Sequence, residues 1–345
     1  MAYISEITKI HSVCLHHIGS KVIDEGVTLS ERSLQLDEES RKNLFSYCFS
    51  SFKEGELYCF GHELGLEYNE VYSCVKKVFS NKESLVEQSQ NLARVLYEHS
   101  EHPGIKSGVF IGVYFSDCEV NGYITDAIGL YKCENLTSFL SLQCSGNGAE
   151  ISTLHGLDLK HVDKAALIFN VDPNEGYQLA IIDNTNRSDA KYWVDDFLQV
   201  RPKADEYHQT RAVLNAAKGF ITKSMPADTT QGEKAELMDR TLRYFQENET
   251  FDINVFSSEV IADEQLSSDF SEYMGTYMAK NDIEVPDCFA ISGSAVKKSS
   301  RSMKSVIKLD KNFHIYVHGG AGLIKKGYDE ATGMEYYQLF FKKEE

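Results

Sequence analysis

The chain alternates between apolar runs and polar punctuation in a way that divides it into elements. Apolar residues at Ile4, Ile7, Ile10, Val13, Leu15 and Ile18 suit either a strand or a helix, and the stop at Gly19 followed by the turn-rich Asp24-Glu25-Gly26 favours a strand. Asp37 reads as a helix N-cap with Glu38 and Glu39 in the first turn, where the helix dipole favours acids. That helix runs to about Phe52 with Leu44, Phe45, Cys48 and Phe49 on one face. A short strand over Leu57 to Phe60 and helices over Tyr68 to Phe79 and Glu83 to His99 follow, until His102-Pro103-Gly104 breaks the pattern.

β-branched and aromatic residues then dominate Gly108 to Phe115 and Tyr123 to Cys133, joined by a segment carrying the turn pair Asn121-Gly122. Phe139 to Gln143, Ala165 to Asn170 and Gln178 to Asp183 read as further strands, with turns at Ser145 to Gly148 and Asp172 to Gly176. Turns this short leave no room for a helical crossover, so the pairing is antiparallel. Beyond Asp183 the periodicity is helical over Asp189 to Leu198, Asp205 to Ser224, Gly232 to Asn248 and Asp263 to Lys280. Phe313, Ile315 and Val317 alternate with His314, Tyr316 and His318 as a strand, and Glu335 to Phe341 reads as a last one. The fold class is thus α+β: an antiparallel sheet with covering helices, then a helical region closed by a small C-terminal β element. With Pro202 as the boundary, residues 1–201 form the α+β domain, and residues 202–345 a mainly helical domain with a basic loop and C-terminal strands.

Charge changes this picture locally. The formal net charge is −17, distributed as −13 over residues 1–200, −8 over 201–290 and +4 over 291–345. The mean field therefore repels phosphate, and any nucleic-acid contact has to be local. Lys297, Lys298, Arg301, Lys304, Lys308 and Lys311 face one acid, Asp310, in a serine-rich segment. Lys297 to Ser305 reads as a solvated loop, and Ser305 to Lys308 as its continuation or the start of a strand. Lys and Arg with hydroxyl donors suit phosphate contacts that carry no base specificity. The plain alternative is a charged loop that keeps an edge strand from pairing with another chain.

Other chemistry is sparse. Eight cysteines without a Cys-x-x-Cys pair read as reduced core residues, and Cys14 with His16 and His17 lacks a second ligand pair for a metal. There is no phosphate-binding Gly-x-x-x-x-Gly-Lys loop, nucleophile elbow or His-Glu-x-x-His. Gly319 to Gly322 reads as a hairpin turn. The best enzymatic case is a metal-dependent nuclease, with Asp126, Lys132 and Glu134 on one strand and Asp163 and Lys164 entering another. No cofactor is implied. No apolar run approaches the length of a membrane span, and the opening Met-Ala-Tyr-Ile-Ser-Glu lacks the features of a signal peptide, so a cytoplasmic protein is expected.

Four stretches carry a family resemblance: the Ile-His-Ser-Val register with Asp24-Glu25-Gly26 and Leu29-Ser30; His102-Pro-Gly-Ile-Lys-Ser-Gly108; Ile182-Asp183-Asn184 leading to Ala190-Lys-Tyr-Trp-Val-Asp-Asp-Phe-Leu198; and Lys304 to Gly319. Together they resemble the NdpA-like bacterial nucleoid-associated proteins over nearly the whole chain. The resemblance implies a nucleoid location, DNA as partner and no established catalytic site. The reading is a non-enzymatic nucleoid-associated protein that touches the DNA backbone through the 297–311 segment. Its alternative is an acidic interaction module for basic chromosome-associated proteins. A homodimer is a further expectation, because two copies of a weak basic segment gain avidity on one duplex.

Overall fold

The computed structural model describes residues 2–145, 148–184, 191–303, 305–309, 312–317 and 323–343. The chain divides into two compact units, Met1–Lys203 and Ala204–Glu345.

In the first unit the elements are, in order, β1 (Ile4–Ile18), β2 (Val27–Thr28), α1 (Glu38–Ser50), β3 (Tyr58–Phe60), α2 (Glu70–Ser80), α3 (Leu85–Glu98), β4 (Gly108–Val120), β5 (Tyr123–Cys133), β6 (Thr137–Ser145), β7 (Gly148–Gly156), β8 (Lys164–Phe169), β9 (Gln178–Asp183) and β10 (Val200–Pro202). Eight of the strands form one antiparallel sheet in the order β10-β3-β9-β8-β5-β4-β1-β2. Its centre is apolar on both faces because both are covered. Phe110 and Tyr114 of β4, Ile128 and Leu130 of β5, and Ala166 and Ile168 of β8 pack under α2, α3 and the 192–198 segment. The alternate residues Ile111, Val113, Phe115, Ala127, Tyr131, Ala165 and Leu167 pack on the other face with Tyr47, Cys48 and Phe49 of α1. Residues two apart therefore share a core, and residues one apart enter opposite cores.

The turn between β4 and β5 places Asn121 and Gly122 at φ +49 and +78, which the short hairpin loop requires and which suits this residue pair. β4 runs past its expected end at Phe115, through a register irregularity that holds Asp117 at φ +59. Two further differences matter. The segment expected as a sheet strand at Phe139 to Gln143 is β6, and it leaves the sheet to pair only with β7, a strand whose small polar residues gave no periodic signal. The helix expected over Asp189 to Leu198 is a 3-10 turn at Lys191–Trp193 followed by a wide turn at Val194–Leu198, while residues 185–190 lie outside the described part. Packing of Tyr192, Trp193, Phe197 and Leu198 onto the sheet overrides the helical spacing there.

The second unit contains α4 (Glu206–Lys223), α5 (Gln231–Glu247), β11 (Thr250–Asp252), α6 (Ile253–Phe256), α7 (Glu264–Lys280), β12 (Cys288–Ala290), α8 (Gly293–Ser300), β13 (Ser305–Leu309), β14 (Phe313–Val317), β15 (Ile324–Asp329) and β16 (Met334–Leu339). Each long helix starts on a side-chain cap: Asp205, Asp263 and, in a full capping box with Glu233, Thr230. An aromatic cluster of Tyr244, Phe245, Phe251, Phe256, Phe270 and Phe289 fills the core. The pairs β13–β14 and β15–β16 are antiparallel hairpins, and Ile307 of β13 is buried with Ala235 of α5, with Ile315, Ile324 and Tyr337 packed around them.

The expected loop over Lys297 to Ser305 needs correcting. Lys297 and Lys298 belong to helix α8, capped by Ser292, and the chain enters β13 at Ser305. Ala295, Val296, Ser299 and Met303 are buried at helical spacing, so packing supports a helix that the Ser and Lys content conceals.

Candidate functional site

α8 is short and amphipathic. Its inward face is held by Ala295, Val296 and Ser299, which leaves Lys297, Lys298 and the following Arg301 exposed. All three lie at the helix C-terminal end, where unsatisfied carbonyls favour cations. None makes an ion pair with a described residue; Lys298 Nζ sits 6.0 Å from the Tyr207 ring centre. Lys308 stands on β13 opposite His314. Lys304 and Lys311, with Asp310, lie outside the described residues, as do Gly319 and Gly320. The structure thus assembles three of the expected cations on one helix end. The hairpins beyond it expose Tyr316, Tyr328 and Tyr336, and Lys325 Nζ lies 5.5 Å from the Phe340 ring centre.

The residues considered for metal chemistry in the first unit form something different. Register sets Lys132 of β5 opposite Lys164 of β8, and Lys164 opposite Asp183 of β9. Both lysines are buried. Lys164 Nζ donates to Asp183 Oδ1 at 2.6 Å and lies 5.1 Å from the centre of the Tyr192 ring. Lys132 Nζ donates to the Lys106 carbonyl at 2.9 Å, with Glu134 Oε1 at 4.0 Å. Burial pulls the Lys132 ammonium down to about 8, against the opposing pull of Glu134. Glu134 Oε1 accepts from the Tyr192 hydroxyl at 2.5 Å, and burial followed by this carboxylate holds the phenol far above its ordinary range. Asp163 accepts at Oδ2 from the backbone N–H groups of Glu134 at 2.7 Å and Asn135 at 2.9 Å, and at Oδ1 from Asn135 Nδ2 at 3.0 Å.

Asp126 does not join them. It lies toward the other end of β5, where its Oδ2 accepts from the Tyr114 hydroxyl at 2.7 Å. Among the described residues no three His, Cys, Asp or Glu side chains gather in a way that could hold a metal. Cys14 and His16 do share a face, but His16 Nε2 pairs with Ser89 Oγ at 2.9 Å. Six cysteines are buried; Cys144 and Cys288 are exposed, contrary to the reading of all eight as core residues.

Sequence reasoning missed what unites this centre. Stretches far apart in the chain each supply a part: Lys106 gives the carbonyl and Gly108 the space, since a Cβ at Gly108 would stand 3.0 Å from Lys132 Nζ and 2.1 Å from the Cys133 oxygen. Asp183 gives the carboxylate, and Tyr192 the ring and hydroxyl. The unused signal is a lysine beside a long apolar run in each of two strands, Lys132 after Ala127 to Tyr131 and Lys164 before Ala165 to Phe169, which demands polar partners from elsewhere in the chain.

The second unit also has a cleft of about 490 Å³ at α5 and the start of α7. Asp228, Glu233, Glu236, Asp263 and Asp269 line it over Leu237 and Leu266. Arg240 is the cation among its lining residues, and its Nε is buried without a hydrogen-bond partner.

No described helix is long and apolar enough to cross a membrane. No curated protein matches the chain. The family model described as Nucleoid-associated protein YejK matches residues 11–333, which takes in most of both units. The exposed cations of α8, the buried centre at Lys132 and Lys164 and the acidic cleft all fall inside that match, and the chain belongs to this nucleoid-associated family.

Proposed function

We propose that the protein binds DNA directly, by phosphate contacts from the α8 end and the segment after it, and that it acts without catalysis. The observation that carries this reading is that Lys297, Lys298 and Arg301 are exposed together with no acidic partner among the described residues, in a chain of net charge −17. Lys21, Lys203, Arg243 and Lys326 sit in ion pairs, whereas the exposed Lys76 and Lys77 of α2 show none among the described residues, so what sets the α8 cations apart is the local balance of +4 over residues 291–345. Unpaired cations next to serine hydroxyls suit phosphate, and no groove-reading unit is present among the described residues, so binding is independent of base sequence. Lys304, Lys308 and Lys311 follow in the same stretch of sequence and belong to the same proposal. The non-catalytic part rests on the buried centre, whose carboxylates are engaged by N–H, ammonium and hydroxyl donors of the protein. The family supports a place on the nucleoid.

The test is a gel shift of the full chain against duplex and single-stranded DNA at two salt concentrations, with and without magnesium. Binding that weakens with salt and leaves the DNA intact is expected. Degradation only with metal would replace this reading by a nuclease.

The acidic cleft favours a second reading, in which the protein docks a lysine- or arginine-bearing segment of another chromosomal protein. Loss of such a partner on Glu236→Lys, with DNA binding unchanged, would separate the two.

A further inference from the structure

The hairpin β6–β7 pairs with no other strand among the described residues. Its register puts Leu142 opposite Ile151, and Leu140 opposite Thr153, on one face. Phe139 lies opposite Leu154 on the other, where the Phe139 ring stands against Gly156 and the pair is less exposed, at 49% and 46%. The first face is open: Leu140 is 66%, Leu142 69% and Ile151 69% exposed. A two-stranded hairpin alone is marginal in water, and one with a wide-open apolar face needs a cover. The usual protections of a free edge are absent, since residues 135–157 contain no Lys, Arg or Pro.

Charge decides what covers it. Over residues 135–157 the only formal charge is Glu150, whereas residues 1–200 together carry −13. A phosphate backbone or a basic peptide has nothing to pair with here. Two copies of this chain repel each other over their acidic surfaces, but not over this arm. A self-complementary patch is also what a two-fold interface requires, as each copy presents the same residues to the other.

We infer that the β6–β7 arm is a homodimer contact, in which the Leu140, Leu142 and Ile151 faces of two copies close on each other about a two-fold axis. The inference does not depend on DNA binding.

Light scattering of the full chain over a range of concentrations, without DNA, tests it. The parent is expected as a dimer. Leu142→Glu with Ile151→Glu should weaken dimerisation at least about a hundredfold, as removal of two interface-core side chains does. Leu64→Glu, at an equally exposed leucine outside the arm, should leave the dimer intact. Circular dichroism reports folding; if the double Glu variant fails to fold, Leu142→Thr with Ile151→Thr keeps strand propensity and replaces it. In a Cys288→Ser background a bifunctional maleimide should link two chains through the exposed Cys144 of the arm, and Cys144→Ser should abolish the link. A monomeric parent at every concentration, or a dimer unaffected by both arm variants, overturns the inference.

Discussion

Lys132 and Lys164 face each other directly across adjacent strands, both without solvent exposure. Like charges at opposed positions destabilise a sheet, and a buried ammonium loses its hydration. The arrangement persists because the partners differ. Lys164 has a carboxylate, Asp183, in close contact, whereas Lys132 has a carbonyl and a carboxylate at the limit of an ion pair. The two lysines are therefore energetically unequal.

Their truncation should show it. Lys164→Met removes a buried ammonium that donates to Asp183 at 2.6 Å, but the Asp183 side chain keeps 22% exposure and can be hydrated, so a loss of about 1.5–3 kcal/mol is expected. Lys132→Met removes a poorly compensated ammonium and leaves the Tyr192–Glu134 bond in place, so about 1 kcal/mol or less is expected. Urea denaturation of the two variants measures the difference, and equal losses would refute the asymmetry.

Alkaline pH should expose Lys132 separately. Folded Lys132 releases its proton near pH 8, while an unfolded lysine keeps it to about 10.5. The unfolded state then binds more protons, so this group by itself raises stability from pH 8 upward by at most about 1.4 kcal/mol per pH unit. Burial also raises Cys14, Cys48, Cys74, Cys118 and Cys133 above 9.0, so unfolded thiols ionise while folded ones stay protonated, and these groups oppose Lys132. With five thiols against one ammonium the signs cross close to pH 8, and stability falls above it. Denaturation curves should show that alkaline fall, and Lys132→Met should deepen it by removing the opposing gain.

At acid pH the corresponding group is His16. The Ser30 N–H donates to Nδ1 at 3.1 Å, which fixes the neutral ring with its proton on Nε2, toward Ser89 Oγ. Burial, with Arg94 nearby, lowers its pKa to about 4. Between pH 6.5 and 4 the unfolded state binds the proton and the folded state does not, so stability falls as pH falls, by up to about 3 kcal/mol. His16→Gln should flatten this part of the profile relative to the parent. Parallel profiles for parent and variant would exclude the role.

Much of this was legible in the sequence because period and punctuation act locally. Asp37 as a cap and Asn121-Gly122 as a turn need no tertiary information. The antiparallel pairing of β4 with β5 and of β8 with β9 followed from turn length, but the order of the sheet did not. The β6–β7 arm was not legible, as Phe139 to Gln143 looks like any sheet strand until the sheet is seen to close without it. Nor was α8, where serine and lysine mask four buried positions. In the candidate sites, the cations of α8 were visible as residues, but their helical presentation was not. Lys132 and Lys164 were noticed, while Lys106, Asp183 and Tyr192, brought in from distant stretches, were invisible to spacing.

Caps differ in what they hold. Asp37 is an exposed cap that accepts from the Ser40 N–H, and Asp37→Ala should cost about 1 kcal/mol. Asn69 is buried; it caps α2 through the Tyr72 N–H, and its Nδ2 donates to the carbonyls of Gly61 and Leu198. Asn69→Ala removes the cap and also strands buried carbonyls, so roughly 2–4 kcal/mol is expected. Thermal unfolding of both variants distinguishes a simple cap from a tie between α2 and two loops.

The α8 end gives the most direct test of DNA binding. If Lys297, Lys298, Arg301 and Lys304 touch phosphates, changing all four to Ala weakens binding about equally for every sequence. It also lowers the slope of log affinity against log salt by roughly 0.9 for each phosphate no longer neutralised. Lys297, Lys298 and Arg301 also complement the carbonyl end of α8, so each Ala there should remove about 0.3–1 kcal/mol of stability. That loss is separable from binding: Lys297→Glu reverses charge at a single site and should hurt affinity more than Lys297→Ala, with a further stability loss of about 0.3–1 kcal/mol that thermal unfolding measures apart from binding. A quadruple variant that stays folded and keeps the parent's affinity and salt slope would remove α8 from the DNA interface, whatever its effect on helix stability.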